Sequence, residues 1–191
     1  MGLELERKYV LTDAVMEAVH TAFGPWQTIC METTYYDTAE AMLSAQKITL
    51  RRRMENGISI CTLKTPAPGG ARGEWETEDT DLIRALPRLT EDSGSLVLAK
   101  AAQQGIRPLC GAAFTRLACT VQLAECVVEI AMDRGILTGG DRQVPLQELE
   151  VELKSGSEHA MEAFCDELAM RYGLQEEPNS KFRRASALVK G

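Results

Sequence analysis

Pairs of glutamates two residues apart occur near the beginning and near the end of the sequence. Glu4 and Glu6 form one Glu-x-Glu pair, and Glu150 and Glu152 form the other. Alternate residues of a β-strand point to the same side of a sheet, so each pair presents two carboxylates together. Converging carboxylates repel one another unless a cation lies among them, and an all-oxygen site suits Mg²⁺ or Mn²⁺. We therefore predict a divalent metal site if the two pairs meet.

Basic residues with the same alternation lie in the middle of the chain. Arg51 and Arg53 are two residues apart, and Lys64 and Arg116 belong to other predicted strands. Guanidinium groups match phosphate oxygens in a bidentate geometry. A basic wall beside a metal site indicates a polyphosphate bound together with its metal.

A solvated sheet face is the alternative interpretation of the same alternation. Charges that alternate with apolar residues on one strand are also typical of an antiparallel sheet with one side open to water. Here several strands carry charges on one face, and the acidic strands are the first and the last. If the sheet closes so that these two strands pair, the two Glu-x-Glu pairs become neighbours.

The hydrophobic pattern predicts an α+β fold with a mainly antiparallel sheet. Period-two alternation and turn residues indicate eight strands, at residues 3–10, 28–38, 47–54, 58–65, 72–78, 112–123, 125–137 and 144–154. The Asn-Gly pair at residues 56–57 predicts a tight hairpin between the third and fourth strands. Helical spacing predicts helices at residues 13–23, within 81–106 and at 157–172, followed by a short basic segment around Lys181.

Composition indicates one ordinary soluble domain that spans residues 1–191. Hydrophobic residues make up 45% of the chain and charged residues 26%, which is typical of globular proteins. The formal net charge of -7 argues against a nucleic-acid or anionic-membrane partner. The N-terminus interleaves acids and bases, and no segment is apolar enough to span a bilayer, so we expect a cytoplasmic location. The six cysteines include no C-x-x-C pair and are expected to be reduced and mostly buried.

An ordered set of motifs along nearly the whole chain resembles one known family. The set comprises Glu4-Leu5-Glu6-Arg7-Lys8, Tyr35-Tyr36-Asp37-Thr38, Leu50-Arg51-Arg52-Arg53, Thr62-Leu63-Lys64, Arg72-Gly73-Glu74-Trp75-Glu76, Phe114-Thr115-Arg116, Glu129-Ile130-Ala131-Met132-Asp133, Glu148-Leu149-Glu150-Val151-Glu152-Leu153 and Ser180-Lys181. In order and spacing these motifs resemble the CYTH domain, or triphosphate tunnel metalloenzyme, family, and most of all its bacterial inorganic triphosphatases.

The resemblance implies a fold and a set of site residues. The fold would be an eight-stranded closed antiparallel β-barrel that forms a triphosphate tunnel, with flanking helices. The metal ligands would be Glu4, Glu6, Glu150 and Glu152, with Glu74, Glu76 and Glu129 as further candidates. The residues that bind the triphosphate would be Lys8, Arg51, Arg53, Lys64, Arg116 and Lys181.

Two departures from the family pattern concern the site and the chain length. Many members carry a basic residue two positions before the one matched to Arg116, where this chain has Phe114. Bacterial inorganic triphosphatases often continue into a histidine-rich CHAD domain, and this sequence ends at Gly191. We expect either a single-domain member or a shortened chain.

The implied activity is metal-dependent hydrolysis of inorganic tripolyphosphate to pyrophosphate and phosphate. Water would attack a terminal phosphorus, with Glu4 and Glu6 holding Mg²⁺ or Mn²⁺ and Lys8 acting as base or orienter if neighbouring cations lower its pKa. A class IV adenylyl cyclase or a thiamine triphosphatase on the same fold stays open, as does a non-catalytic polyphosphate- or nucleotide-binding module. The partner would be a small-molecule triphosphate, and a homodimer is the candidate assembly.

Overall fold

The structure is a computed structural model that describes residues 2–67 and 72–189, with side chains from Leu5 onward. Its described residues form ten strands: β1 Gly2–Glu4, β2 Glu6–Val10, β3 Gln27–Asp37, β4 Thr49–Glu55, β5 Ile58–Pro66, β6 Arg72–Glu78, β7 Arg107–Gln122, β8 Cys126–Gly139, β9 Arg142–Gly156 and β10 Gln175–Glu176. They also form six helices: α1 Asp13–Ala22, α2 Met42–Ala45, α3 Leu82–Ser93, α4 Leu96–Gln104, α5 Glu158–Tyr172 and α6 Lys181–Val189. No helix in these ranges is long and apolar enough to cross a membrane.

The described strands form one antiparallel sheet in the order β1-β6-β5-β4-β3-β7-β8-β9-β2-β10. The predicted α+β class with a mainly antiparallel sheet is therefore confirmed. The predicted closed barrel of eight strands is not confirmed, because the sheet has ten strands and runs from one edge at β1 to another at β10. The difference arises because the first predicted strand is interrupted at Leu5. Its first piece pairs with β6 and its second piece with β9.

The hairpin between β4 and β5 forms where the Asn-Gly pair predicts it. Glu55 pairs with Ile58, and Asn56 and Gly57 both have positive φ values, of 48° and 92°. This turn type matches the right-handed twist of the flanking strands, which is why it suits a two-residue hairpin. The register it sets places Arg51 opposite Thr62 and Arg53 opposite Ile60.

Two helices of the structure were not predicted as helices. The short α2 begins near Asp37, whose buried carboxylate accepts hydrogen bonds from the backbone N–H groups of Leu43 and Ser44. The C-terminal α6 replaces the predicted basic segment, and its Ala185 is fully buried. Both helices are short, so tertiary contacts rather than helix propensity stabilise them.

Helices and sheet bury three hydrophobic clusters. One lies between the outer side of β7–β9 and helices α1 and α5, and a second lies under α3 and α4. The third joins α6 to the side chains of β3, β7 and β8, including Tyr35 and Phe114. All six cysteines are free, and five of them are buried, with Cys30 exposed. The third cluster borders a charged space on the inner side of the sheet, because Met31, Tyr35 and Phe114 also line that space.

Candidate functional site

A charged cavity of about 430 Å³ lies on the inner side of the sheet. The described residues contribute eight basic side chains to its wall: Lys8, Arg51, Arg53, Lys64, Arg72, Arg116, Lys154 and Lys181. They contribute seven acidic side chains: Glu6, Glu55, Glu74, Glu76, Glu129, Glu150 and Glu152. Positive and negative groups are thus nearly balanced, although the chain as a whole is strongly acidic.

The acidic side of the cavity is a row of three carboxylates on three neighbouring strands. On β9, Glu152 lies opposite Glu6 of β2 and opposite Glu129 of β8. We call Glu6, Glu129 and Glu152 the acidic row. The structure thus places Glu6, the second residue of the first Glu-x-Glu pair, beside Glu152, the second residue of the other pair. The backbone of Glu4 is in β1, opposite Arg72, and its side chain lies outside the described residues.

Two lysines contact the acidic row. The Nζ atom of Lys154 lies 2.8 Å from Glu152 and 3.6 Å from Glu129, and Lys8 donates a hydrogen bond of 2.8 Å to Glu6. Burial opposes the charge of Lys8, but Glu6 and Glu150 outweigh burial and raise the pKa of Lys8. The predicted role of Lys8 as base or orienter in the presence of neighbouring cations stays a prediction. Lys8 is an ammonium donor in this arrangement.

The basic wall of the cavity is formed by Arg51 and Arg53 of β4 with Lys64 of β5. Glu74 is shared between Lys64 Nζ at 3.2 Å and Arg51 Nη2 at 3.6 Å. The Nε atoms of Arg51 and Arg53 are buried without a hydrogen-bond partner. Burial and the neighbouring Arg51 lower the pKa of Arg53. These donors have capacity for an anionic ligand, because a buried donor without an acceptor is unfavourable.

Glu74 and Glu76 line the cavity apart from the acidic row. Glu74 contacts Arg51 and Lys64, and Glu76 accepts a hydrogen bond from Thr62 and lies 4.0 Å from Arg53. Their predicted role as further metal ligands stays a prediction. Their observed contacts are those of counter-charges that hold the basic wall in place.

Arg116 and Lys181 contact a buried acidic cluster formed by Asp133, Glu148 and Glu150. Oxygens of these three carboxylates lie within 4.8 Å of one another. Arg116 donates two hydrogen bonds of 2.8 Å to Asp133 and also contacts Glu150. The Nζ atom of Lys181 lies 2.7 Å from Asp133 and 2.8 Å from Glu150, and it contacts Glu148. The lysine ammonium already stands where a metal ion would bind this cluster.

The protonation of this cluster follows from burial and pairing. Burial raises the pKa of Glu148, which is 0% exposed. Burial also opposes the ionisation of Glu150, but Lys181 and Arg116 outweigh it and hold the pKa of Glu150 well below its usual range. For Arg116, attraction to Glu150 and Asp133 overcomes the effect of burial and raises its pKa. Lys181 and Arg116 are therefore permanent cations in the cavity wall.

The acidic row is one candidate for a divalent metal, because its three members line the cavity and offer oxygen ligands only, which fits a hard cation. The buried cluster is another candidate, because its carboxylate oxygens lie within 4.8 Å of one another. A metal would have to displace or share oxygens with Lys181 and Arg116 in the buried cluster, and with Lys8 and Lys154 on the acidic row. The predicted ligand Glu150 belongs to the buried cluster and lies opposite Lys8.

Several residues of the site were not among the predicted site residues. They are Tyr35, Glu55, Arg72, Asp133, Glu148, Lys154 and Arg184. For Glu55, Arg72, Glu148 and Lys154 a signal existed, since each is two residues from a predicted site residue on the same strand. Arg184 has no such signal, because its contact with Glu148 joins residues far apart in sequence.

Comparison with known proteins identifies the family. A family model described as the CYTH domain matches residues 2–186, so the chain belongs to the CYTH domain family. A curated inorganic triphosphatase of Haemophilus influenzae is 26% identical over 164 residues, which cover 85% of this chain and 47% of the relative. The chain therefore spans about half the length of that relative.

Solved structures share the fold. One, described as a putative adenylyl cyclase HpAC1 from Hippeastrum with a dominant triphosphatase activity, superposes with a TM-score of 0.66 at 18% identity, covering 99% of this chain and 97% of the other. A protein of Pyrococcus horikoshii OT3 gives a TM-score of 0.65 at 20% identity, with 95% and 97% coverage. At these identities the similarity concerns the fold.

Proposed function

We propose that this chain hydrolyses inorganic tripolyphosphate to pyrophosphate and phosphate in a reaction that depends on Mg²⁺ or Mn²⁺. One observation carries the proposal. A single cavity holds an acidic row of oxygen ligands and, on another part of its wall, an arginine pair whose buried Nε atoms lack partners. Membership of the CYTH domain family and the similarity to an inorganic triphosphatase support it.

The proposed roles follow from position. Glu6, Glu129 and Glu152 would hold the metal, and the remaining predicted ligands are Glu4, Glu150, Glu74 and Glu76. When bound, the cation would neutralise phosphate charge and lower the pKa of a coordinated water. The basic wall, together with Arg116 and Lys181, would bind the phosphate oxygens and stabilise the charge that moves to the leaving group.

The chemical step needs no covalent intermediate. A water oxygen attacks the terminal phosphorus, the bond to the bridging oxygen breaks, and pyrophosphate leaves with the electron pair. One proton of the water stays on the new phosphate, and the other passes to an oxygen of the pyrophosphate. Lys8, as an ammonium held by Glu6, would donate a hydrogen bond that orients phosphate or water.

We also infer that residues 2–10 close the sheet into the predicted tunnel. The two pieces of this segment pair with β6 and β9, and the carbonyl of Leu5 between them accepts a hydrogen bond of 2.9 Å from the backbone N–H of Leu153. Counted as one strand, the segment brings the barrel to eight strands, with β10 as an addition at the edge. A single domain, a cytoplasmic location, and a small triphosphate rather than nucleic acid or a membrane as the partner belong to the same proposal, with the homodimer as its assembly.

A comparison of substrates tests the activity. Phosphate release would be measured from tripolyphosphate, ATP and thiamine triphosphate, each with Mg²⁺, with Mn²⁺ and with a chelator. We expect tripolyphosphate to give the highest kcat/KM and the chelator to abolish release. Faster release from thiamine triphosphate, or formation of cyclic AMP from ATP, would instead favour the two alternative enzymes on this fold. Tight binding without release would favour a binding module.

Substitution of the acidic row tests the site. The variant Glu6→Gln with Glu152→Gln removes two charges at nearly constant volume, and we expect metal-dependent release to fall at least a hundredfold, about 2.7 kcal/mol in the barrier. The matched control is Glu167→Gln on the exposed side of α5. Undiminished turnover in the double variant would reject this metal site.

A further inference from the structure

Helix α6 is attached to the sheet by a buried series of ion pairs. Glu148 of β9 is 0% exposed and is not among the described residues that line the cavity. One of its oxygens contacts Lys181 at the start of α6, and the other forms a close ion pair of 2.8 Å with Nη2 of Arg184, one turn later. Glu148 thus joins a residue of the cavity wall to a residue behind it.

The other end of this series of ion pairs is linked to β2, on the acidic side of the cavity. Nη1 of Arg184 lies 3.1 Å from Glu177, and the backbone N–H of Glu177 donates a hydrogen bond of 2.8 Å to the carbonyl of Lys8. Asn179 donates its backbone N–H to the Glu177 carboxylate at 2.9 Å. Arg184 is therefore held between two carboxylates of fixed position.

One oxygen of Glu148 has Arg184 as its counter-charge, whereas Lys181 contacts the other oxygen and Arg116 contacts Asp133 and Glu150. Without Arg184 the buried charge of Glu148 would have Lys181 as its remaining counter-charge among these cations. That charge would hold Lys181 more tightly to the carboxylates and would repel an anion in the cavity, because burial strengthens both effects.

We propose that Arg184 is a positioning residue that acts through Glu148. Arg184 forms an ion pair with the Glu148 oxygen that does not contact Lys181. It thereby leaves Lys181 available to donate a hydrogen bond to a phosphate of the ligand. Arg184 is not among the described residues that line the cavity, and it needs no contact with the ligand. The proposal rests on the proposed function, because it assumes that the cavity binds a triphosphate.

A double-mutant cycle tests this route. Kd for tripolyphosphate would be measured by calorimetry with Mg²⁺ present, and KM and kcat by phosphate release. We expect Arg184→Met to raise Kd and KM about tenfold with kcat within about twofold, and Arg184→Lys to retain most of the affinity. In a Lys181→Met background, Arg184→Met should change Kd by less than about twofold, because the residue through which it acts is gone. The control is Arg183→Met, an exposed neighbour on α6.

A charge-restoring variant separates this role from a structural one. Glu148→Gln combined with Arg184→Met removes one charge of each sign, so we expect Kd within about threefold of the original chain. This variant also serves if Arg184→Met alone does not fold. An equal loss of affinity from Arg184→Met with and without Lys181, or no recovery in the charge-restored variant, would overturn the proposal. Absence of phosphate release by the unaltered chain would count against the proposed function, whereas the Kd measurements would still decide the role of Arg184.

Discussion

Each cavity lysine that contacts a carboxylate is a tethered counter-ion to that carboxylate. Lys154 shows this most clearly, because its ammonium lies against both Glu129 and Glu152. A divalent cation on the acidic row would have to share these oxygens with the ammonium or displace it. The lysine would therefore affect how strongly the proposed site binds a metal.

Removal of this counter-ion should strengthen metal binding. For Lys154→Gln we expect the Kd for Mn²⁺ in the absence of substrate to fall about five- to tenfold, because one repelling charge next to the site is lost. Titration followed by electron paramagnetic resonance measures free Mn²⁺ directly. Lys100→Gln on the exposed side of α4 is the matched control. An unchanged or weaker Mn²⁺ affinity in Lys154→Gln would show that the metal binds elsewhere.

Period-two spacing predicted which residues share a face, and it could not predict their partners. The rule places Glu6 and Glu152 on inner faces, and β2–β9 pairing then brings them together. It could not show that Lys8 would lie among carboxylates, because that depends on the register between strands far apart in sequence. Arg184 was missed for the same reason: its contact with Glu148 exists only after α6 has packed on the sheet.

At the scale of elements, α6 lies against β8 at a position that accepts only glycine. A Cβ atom built on Gly139 would lie 2.4 Å from the carbonyl oxygen of Ala185 and 2.8 Å from Cβ of Leu188. These are atoms of α6 close to its backbone, so they can yield only if the helix moves. Gly139 therefore sets the distance between α6 and the sheet, and with it the position of Lys181.

Substitution of this glycine should displace the helix. We expect Gly139→Ala to lower the free energy of unfolding by about 1–3 kcal/mol, as overpacking does, and to raise KM for tripolyphosphate several-fold through Lys181. Urea unfolding and phosphate release measure the two effects. Arg183→Ala, on the exposed side of α6, should leave both nearly unchanged. A stable Gly139→Ala variant with an unaltered KM would show that α6 does not position the site.

The elements with strong local signals were predictable, and those made by tertiary contacts were not. The Asn-Gly turn identified the β4–β5 hairpin because its backbone requirement is local. Helices α2 and α6 have no such signal and form through contacts with Asp37 and with the sheet. The break at Leu5 could not be predicted either, since the alternation of charged and apolar residues in 3–10 continues through it.

At the scale of the whole molecule, the near balance of charge in the cavity makes its ligands interdependent. Among the side chains that the structure describes, eight basic and seven acidic ones line the cavity, so a triphosphate alone or a divalent cation alone would leave it with an excess of one sign. A metal and a triphosphate that enter together cancel part of each other's charge. The two ligands would together replace ion pairs that already exist between side chains of the cavity.

This coupling should appear in thermal unfolding. A ligand that binds the folded state raises Tm, and two ligands that favour one another raise it by more than the sum of their separate effects. We expect Mg²⁺ alone and tripolyphosphate alone, each at 1 mM, on the order of a typical KM, to shift Tm by less than about 2 °C, and the two together by at least about 5 °C. The Glu6→Gln and Glu152→Gln variant should lose the excess shift. Additive shifts in the unaltered chain would argue against a shared site.

The segment of residues 2–10 connects positions that are distant in the order of synthesis. It is among the first parts of the chain to be made, yet β2 pairs with β9, which begins at Arg142. Pairing over so many intervening residues is slow, because the loss of chain entropy precedes the gain in contacts. Glu6 consequently reaches Glu152 only late in folding, and the acidic row cannot form on a nascent chain that lacks β9. The proposed metal-binding ability would thus be acquired only after most of the chain has been synthesised.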